Sequence, residues 1–407
     1  MNCRSCAAPL DHVFIDLGHA PPSNAYLTRE ALSRPEVTYP LRALVCDRCW
    51  LVQTEDFARA EDLFTDDYAY FSSTSTSFVA HAAAYVEAIS QRHSLGPKSH
   101  VVEIASNDGY LLKHFLARGV PCLGIEPTAS TAAAAEALGI PVKRVFFGDQ
   151  TAQSLVDEGL SADLIVANNV YAHVPDINDF TRGIRTALRP GGTVTIEFPH
   201  LLKLIREVQF DTIYHEHFSY LSLTAVTRIF EAAGLRIYDV EELRTHGGSL
   251  RIHGCRSEDA HEQLPAVARI LGEERDGGLC SLAIYETFQS RAEAVKLDLL
   301  SFLIEAKRSG KRIAAYGAAA KGNTLLNFAG VKPDLLPFVC DAARYKQGQY
   351  MPGSHIPIVA PSHLDDHPVD QVLILPWNIA DEVMKQLAHL RARGTTFVTA
   401  VPKLTTV

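Results

Sequence analysis

From about His100 onward the chain alternates short β-branched and aliphatic runs with longer Ala- and Leu-rich stretches. "HVVEIA", "PCLGIEP", "PVKRVFF", "ADLIVANNV" and "GTVTIEFP" have strand length and strand composition, and "GYLLKHFLARG" and "TASTAAAAEALG" between them repeat apolar residues at helical spacing. Strand, helix, strand at this spacing predicts a parallel, doubly wound sheet. "GLRIYDVEEL" and "GSLRIHGC" add two strands that complete it with an antiparallel edge, and a mostly helical connector runs from about Asp259 to Ser309. Alternation resumes in "RIAAYGAAAKGNTLLNFAG", "LLPFVCD", "DQVLILP" and "TFVTAVP", which predicts a second α/β unit. The first seventy or so residues differ: rich in Cys, Pro and aromatic residues, with little long periodicity, they suit a small metal-stapled module. The expected fold is therefore α/β in three parts: a zinc-binding module over 1–75, a Rossmann-like doubly wound sheet with its helical connector over 76–292, and a second Rossmann-like α/β unit over 293–407.

A chain of 407 residues can bury two or three cores. A hydrophobic share of 47% with 21% charged residues excludes disordered and fibrous classes. The net charge is −9 and no block of Lys or Arg offers a track for a phosphate backbone, so no nucleic-acid partner is expected. The opening "MNCRSCAAPLDHVF" lacks a charged and then apolar leader, and no stretch approaches the roughly 18 apolar residues of a spanning helix. The expectation is a cytoplasmic protein with no membrane partner, and its eight cysteines are then no disulfide framework.

Cys3, Cys6, Cys46 and Cys49 form two CxxC pairs, while Cys122, Cys255, Cys280 and Cys340 are scattered. One CxxC turn presents two thiolates to a metal at about 2.3 Å, and two such turns complete a tetrahedral structural zinc site with no position open for chemistry. A redox dithiol is the alternative reading of either pair.

In "VVEIASNDGYLLKHF" a strand carrying Glu103 leads through a turn ending at Gly109 into a helix. Glu126 ends the next strand, where a carboxylate reaches the hydroxyls of a ribose lying across the strand tips. A nucleoside-containing cofactor is implied. A nicotinamide dinucleotide calls for GxGxxG, and this turn has one glycine, with Ala105 at the first glycine position. S-adenosylmethionine has no pyrophosphate to cradle and fits a looser turn. Asn168 and Asn169 in "ANNVYAHVPD" belong at the tips near the cofactor, with His173 just beyond.

"YHEHFSYLS", Tyr214 to Ser222, gathers two imidazoles, a carboxylate and two phenols. Such a set suits proton handling, with groups that can take a proton beside groups that can donate hydrogen bonds. A zinc site would favour the helical HExxH spacing, which this stretch lacks. In the C-terminal unit, the small residues Gly317 to Ala320, the following helix start and Lys321 fit a diphosphate, although close helix-to-strand packing demands the same small residues.

With the CxxC pairs, "EIASNDGYLL", "GIEPT", "ANNVYAHVPD", "YHEHFSYLS", "THGGSLR", "AAYGAAAKGNTLLNF" and "PGSHIPI" in this order, nearly the whole chain resembles the S-adenosylmethionine-dependent C-methyltransferases of deoxysugar biosynthesis. The resemblance implies methylation of a nucleotide-linked ketosugar held between a cofactor domain and a C-terminal domain. It implies His217 as base, Tyr214, Glu216 and Tyr68 in the sugar pocket, and His173 sharing proton handling, with the choice of base between His217 and a tyrosine open. It also brings Tyr70, Asn107 and Phe147 to the cofactor, and Tyr316, Lys321, Asn323, Asp341 and His246 to the nucleotide sugar. His215 is left structural. Methylation of another carbon acid, a non-catalytic zinc scaffold and a nicotinamide oxidoreductase are the competing readings.

Overall fold

The computed structural model describes residues 1–57 and 71–407. Three sheets organise them. The central one has seven strands in the spatial order Leu235–Leu243, Ser249–Arg256, Leu188–Pro199, Ala162–Asn168, Val101–Ile104, Cys122–Ile125 and Val142–Lys143. Five strands run parallel, and Ser249–Arg256 lies antiparallel between Leu188–Pro199 and Leu235–Leu243. This is the doubly wound sheet with an antiparallel edge that the alternation predicts, and it is the class I methyltransferase architecture. The third strand is shorter than "PVKRVFF": pairing stops at Lys143, and Val145 and Phe146 are exposed. An apolar run on the surface is not told from an edge strand by periodicity.

The C-terminal sheet has the order Ile358–Val359, Val339–Cys340, Ile313–Tyr316, Gln371–Ile374, Thr396–Thr399 and Thr405–Thr406, all parallel except the last. Between it and the central sheet runs helix Phe288–Arg308, and position 292/293 falls inside that helix.

The third sheet is not legible in the sequence. It is antiparallel, with the order His12–Ala20, Tyr39–Val45, Val52–Thr54 and Ser219–Tyr220. Its strands alternate between two cores, as the period of two requires. Leu41, Ala43 and Val45 face the core shared with helix Phe288–Arg308 and the C-terminal sheet, while Leu44 and Leu51 face the core of the central sheet. Phe14 stacks on Phe288 at 4.5 Å between ring centroids, which fastens the layer. The fourth strand comes from the "YHEHFSYLS" stretch itself, so this sheet carries one end of the proton-handling loop.

Candidate active site

The two CxxC turns are alike. Each is followed by a residue in the left-handed region, Ala7 (φ 60°) after Cys6 and Trp50 (φ 64°) after Cys49. Their N–H groups donate to the carbonyls of Cys3 and Cys46 at 2.9 and 3.0 Å. All four sulfurs lie within 4.8 Å of one another. The pairs Cys3–Cys49 and Cys6–Cys46 are 3.5 Å apart, against about 3.8 Å between thiolates arranged tetrahedrally around one zinc. The contact with Cys3, and then burial, push the Cys49 thiol far above its ordinary range, so ionising the whole set calls for a cation. The residues fit zinc, and they are the only such cluster among the described residues.

At the carboxyl ends of the central strands, Ala105 (φ 56°), Asn107 (φ 49°) and Gly109 (φ 76°) give the first turn three left-handed residues. Two of them are not glycine, a costly backbone that persists where surrounding bonds over-determine it. Glu126 supplies those bonds: Oε2 accepts from the Asn107 N–H at 2.8 Å, and Oε1 accepts from the N–H and hydroxyl of Thr128. Asn107 Oδ1 in turn accepts from the Ser72 N–H at 2.9 Å. Five polar atoms at the tips and in this turn are buried without a hydrogen-bond partner: Glu103 Oε2, Ser106 Oγ, Asp108 Oδ1, Asn168 Oδ1 and Asn169 Nδ2. Burial, and then the charges of Glu126 and Asp108, hold the Glu103 carboxyl well above its ordinary range. Buried polar atoms at strand tips around a strained turn fit a polar ligand such as a nucleoside. Phe147 is half-buried against Phe180 at 5.2 Å.

Beyond the fourth strand, the turn Tyr171–His173 carries an imidazole to the second group of residues. The His173 and His217 rings lie 4.6 Å apart, and Tyr214 covers His217 at 4.0 Å. The loop from Phe210 to Phe218 is built to hold His217. Its backbone N–H donates to Tyr214, its carbonyl accepts from the Thr54 hydroxyl at 3.0 Å, and its Nδ1 lies 2.9 Å from the Thr212 carbonyl. A carbonyl only accepts, so Nδ1 carries the hydrogen and Nε2 keeps its lone pair. Burial, and then the neighbouring His173, press the His217 pKa well below its usual value, so the ring is neutral at pH 7. Glu216 is buried and its carboxyl is pushed up to about 7 by burial, against a hydrogen bond from Asn24. His215 Nε2 donates to the Pro40 carbonyl at 3.1 Å, which suits the structural part expected of it.

The C-terminal unit supplies the remaining wall. Lys321 lies under Trp377, with Nζ 4.6 Å from the ring centroid, and donates to Asn378 at 2.6 Å. The Trp377 indole N–H donates to Asp211 at 2.8 Å, and burial raises the Asp211 carboxyl to about 6 although Lys321 opposes it. Asp211 Oδ1 and His246 Nε2 are buried without a hydrogen-bond partner. The Lys321 charge is felt at both His217 and His246, and His246 is pressed to about 4 by burial first. The structure thus gathers His173, Tyr214, Glu216, His217, His246 and Lys321.

Other expected contacts have different surroundings. Tyr316 belongs to the core on the opposite face of the C-terminal sheet from Ala315, with its hydroxyl on Gln386 at 3.0 Å. Asp341 accepts from the N–H groups of Ala318 and Ala343, both at 2.7 Å, and so shapes the small-residue turn. Gly317 (φ 91°) and Gly322 pack against Pro376 and Leu375, where a side chain would collide, so packing accounts for these glycines. Asn323 Nδ2 donates to the Ser23 carbonyl at 2.6 Å. Tyr68 and Tyr70 lie outside the described residues. Sequence reading missed Asp211, Trp377 and Asn24; an acid inside "FDTIY" is the one signal that could have pointed to the first.

Residues 3–64 match the family described as a zinc binding domain, residues 78–240 the family described as a methyltransferase domain, and residues 244–402 the C-methyltransferase C-terminal domain. The chain is 32% identical to the C-methyltransferase NovU of Streptomyces niveus over 402 residues, 99% of this chain and 96% of that protein. It is 33% identical over 121 residues to a ubiquinone biosynthesis O-methyltransferase of Methylobacterium, across 27% of this chain and 47% of the other. A solved S-adenosylmethionine-dependent methyltransferase from Mesorhizobium loti is similar over 44% of this chain and 100% of its own, at 16% identity and TM-score 0.36. No helix among the described residues is long and apolar enough to cross a membrane.

Proposed function

The chain belongs to the S-adenosylmethionine-dependent C-methyltransferases with an N-terminal zinc binding domain, and on that premise we propose that it methylates carbon in a nucleoside-diphosphate-linked 4-ketodeoxysugar through an enolate. When bound, S-adenosylmethionine supplies an electrophilic methyl group on sulfonium. Residues at the strand tips would hold it: Glu126 by its remaining lone pairs, and Asn168, Asn169 and Glu103 by the polar atoms that lack a protein partner. The zinc closes its four-sulfur site and takes no part in the chemistry.

His217 Nε2 takes the proton from the carbon beside the ketone, and the C–H electron pair becomes the enolate nucleophile. The observation that carries this reading is the bond from His217 Nδ1 to the Thr212 carbonyl, which fixes the tautomer with a basic nitrogen free in a buried, neutral ring. Tyr214, and by the family resemblance Tyr68, offer phenol hydrogen bonds to the enolate oxygen. His173 relays the proton onward, and Glu216 and His246 line the sugar. Three parts, 1–75, 76–292 and 293–407, divide the work among metal, cofactor and substrate handle. Incubation with dTDP-, CDP- and GDP-linked 4-ketosugars is expected to give a product heavier by one methyl. If only a carbon acid without a nucleotide is methylated, the handle is wrong and the alternative carbon-acid reading takes its place.

Lys321 at the start of helix Ala320–Ala329 is the group for the diphosphate. Burial lowers its pKa while Asp211 supports its charge. Lys321→Met is expected to raise the KM for the nucleotide sugar about 10- to 100-fold, the worth of one charged hydrogen bond, with adenosylmethionine affinity unchanged. An unchanged KM removes Lys321 from that role.

The pH profile follows from the two carboxyl and imidazole positions. His217 titrates well below neutrality and contributes no limb near pH 7. Glu216 titrates near 7, so activity that needs its anion is complete above that pH and falls as pH drops through it. The acid limb of kcat/KM should therefore lie near 7 and vanish in Glu216→Gln; a limb that survives that replacement belongs to another group.

A further inference from the structure

Besides strand Val52–Thr54, the zinc-bearing segment reaches the active site through a loop. Residues 21–27 cross from strand His12–Ala20 to the C-terminal sheet, and three anchors fix their path. The Ser23 carbonyl accepts from Asn323 Nδ2 at 2.6 Å, and the Tyr26 hydroxyl donates to the Ala318 carbonyl at 2.5 Å. Leu27 and Tyr350 exchange backbone bonds of 3.0 and 2.9 Å. Between the anchors Asn24 is exposed, yet its Nδ2 donates to Oε2 of Glu216 at 2.6 Å, and Glu216 is only 4% exposed. A carboxylate oxygen accepts, so the amide nitrogen must face it. An exposed asparagine contributes little to a core. Its amide is committed to a buried side chain of the proton-handling loop, between two anchored neighbours.

We propose that Asn24 is a positioning residue of the active site: the loop presents its amide to Glu216 and fixes where that carboxylate points. This rests on the reading of Glu216 as a pocket residue. The zinc module then contributes directly to the site as well as supporting it. The Asn24 side chain and its backbone N–H both oppose the rise that burial imposes on the Glu216 carboxyl, which agrees with that role. Bonds to a charged acceptor in a buried setting are the stronger kind.

The test uses the full-length, zinc-loaded enzyme and whichever of the dTDP-, CDP- and GDP-linked 4-ketosugars wild type methylates; if it methylates none, the functional reading and this inference fall together. Asn24→Ala is expected to lower kcat about 10- to 100-fold, the loss of one charged hydrogen bond, with adenosylmethionine Kd and zinc content unchanged. The double variant with Glu216→Gln should be no slower than Glu216→Gln alone, because both changes break one interaction. Wild-type kcat in Asn24→Ala, or losses that multiply in the double variant, overturns the inference while leaving the role of Glu216 intact. Wild-type kcat in Glu216→Gln overturns the reading beneath it. Should Asn24→Ala lose zinc, Asn24→Asp keeps the shape while replacing donor by acceptor, and retained kcat there equally overturns the proposal.

Discussion

His217→Asn should lower turnover about 10²- to 10⁴-fold while the affinity for adenosylmethionine stays near that of the wild type. The separation follows from the geometry. His217 sits on the loop between Phe210 and Phe218, tied to Thr212, Thr54 and Tyr214, and none of those bonds touches the turn of Ala105 to Gly109 proposed to border the cofactor. Asparagine can keep the hydrogen bond to the Thr212 carbonyl through its amide nitrogen and leaves the loop its anchor. It cannot accept a proton at neutral pH. Steady-state rates with isothermal titration of adenosylmethionine check both halves. Near-normal turnover takes the role of base from His217 and passes it to the tyrosines beside it.

Removal of the metal, by chelation or by Cys46→Ser, is expected to abolish turnover and lower Tm by on the order of 10 °C or more. Apparent binding energies for structural zinc of about 10–16 kcal/mol match or exceed the whole stability of a small domain. The small antiparallel sheet has no core of its own to fall back on. Leu41, Ala43 and Val45 face one neighbour and Leu44 and Leu51 the other, so its loss opens both interfaces. Strand Val52–Thr54 also pairs with Ser219–Tyr220, and the Thr54 hydroxyl holds the His217 carbonyl. Unfolding of the zinc segment therefore reaches the base directly. Metal analysis, melting curves and rates on the same sample decide it: full activity in zinc-free protein makes the metal dispensable.

The parallel strands of the central sheet were legible because each is a separate apolar run with a helix between, the pattern of a parallel α/β sheet. The zinc site was legible because two CxxC pairs state four ligands outright, and the matching left-handed turns at Ala7 and Trp50 bring them together. The antiparallel sheet was not. Its strands His12–Ala20 and Tyr39–Val45 carry charged and Pro residues among the apolar ones, and its edge is a two-residue strand more than 160 positions away. No local period announces such a pairing. The same distance hides the site. "YHEHF" reads as a cluster of titratable groups, yet what fixes His217 is the Thr212 carbonyl, a backbone atom that any residue would supply. Asn24 and Trp377 come to the cluster from far along the chain, bonding Glu216 and Asp211. Tyr316 illustrates the converse, a residue beside a promising turn whose strand alternation turns it to the other face.

Proton removal from carbon is the central step, and solvent exchange reads it without methyl transfer. In D₂O with S-adenosylhomocysteine bound, the wild-type enzyme should place deuterium on the carbon beside the ketone of its nucleotide sugar, followed by NMR, and His217→Asn should not. Exchange at the wild-type rate in His217→Asn, or methylation of that sugar at oxygen, would contradict it.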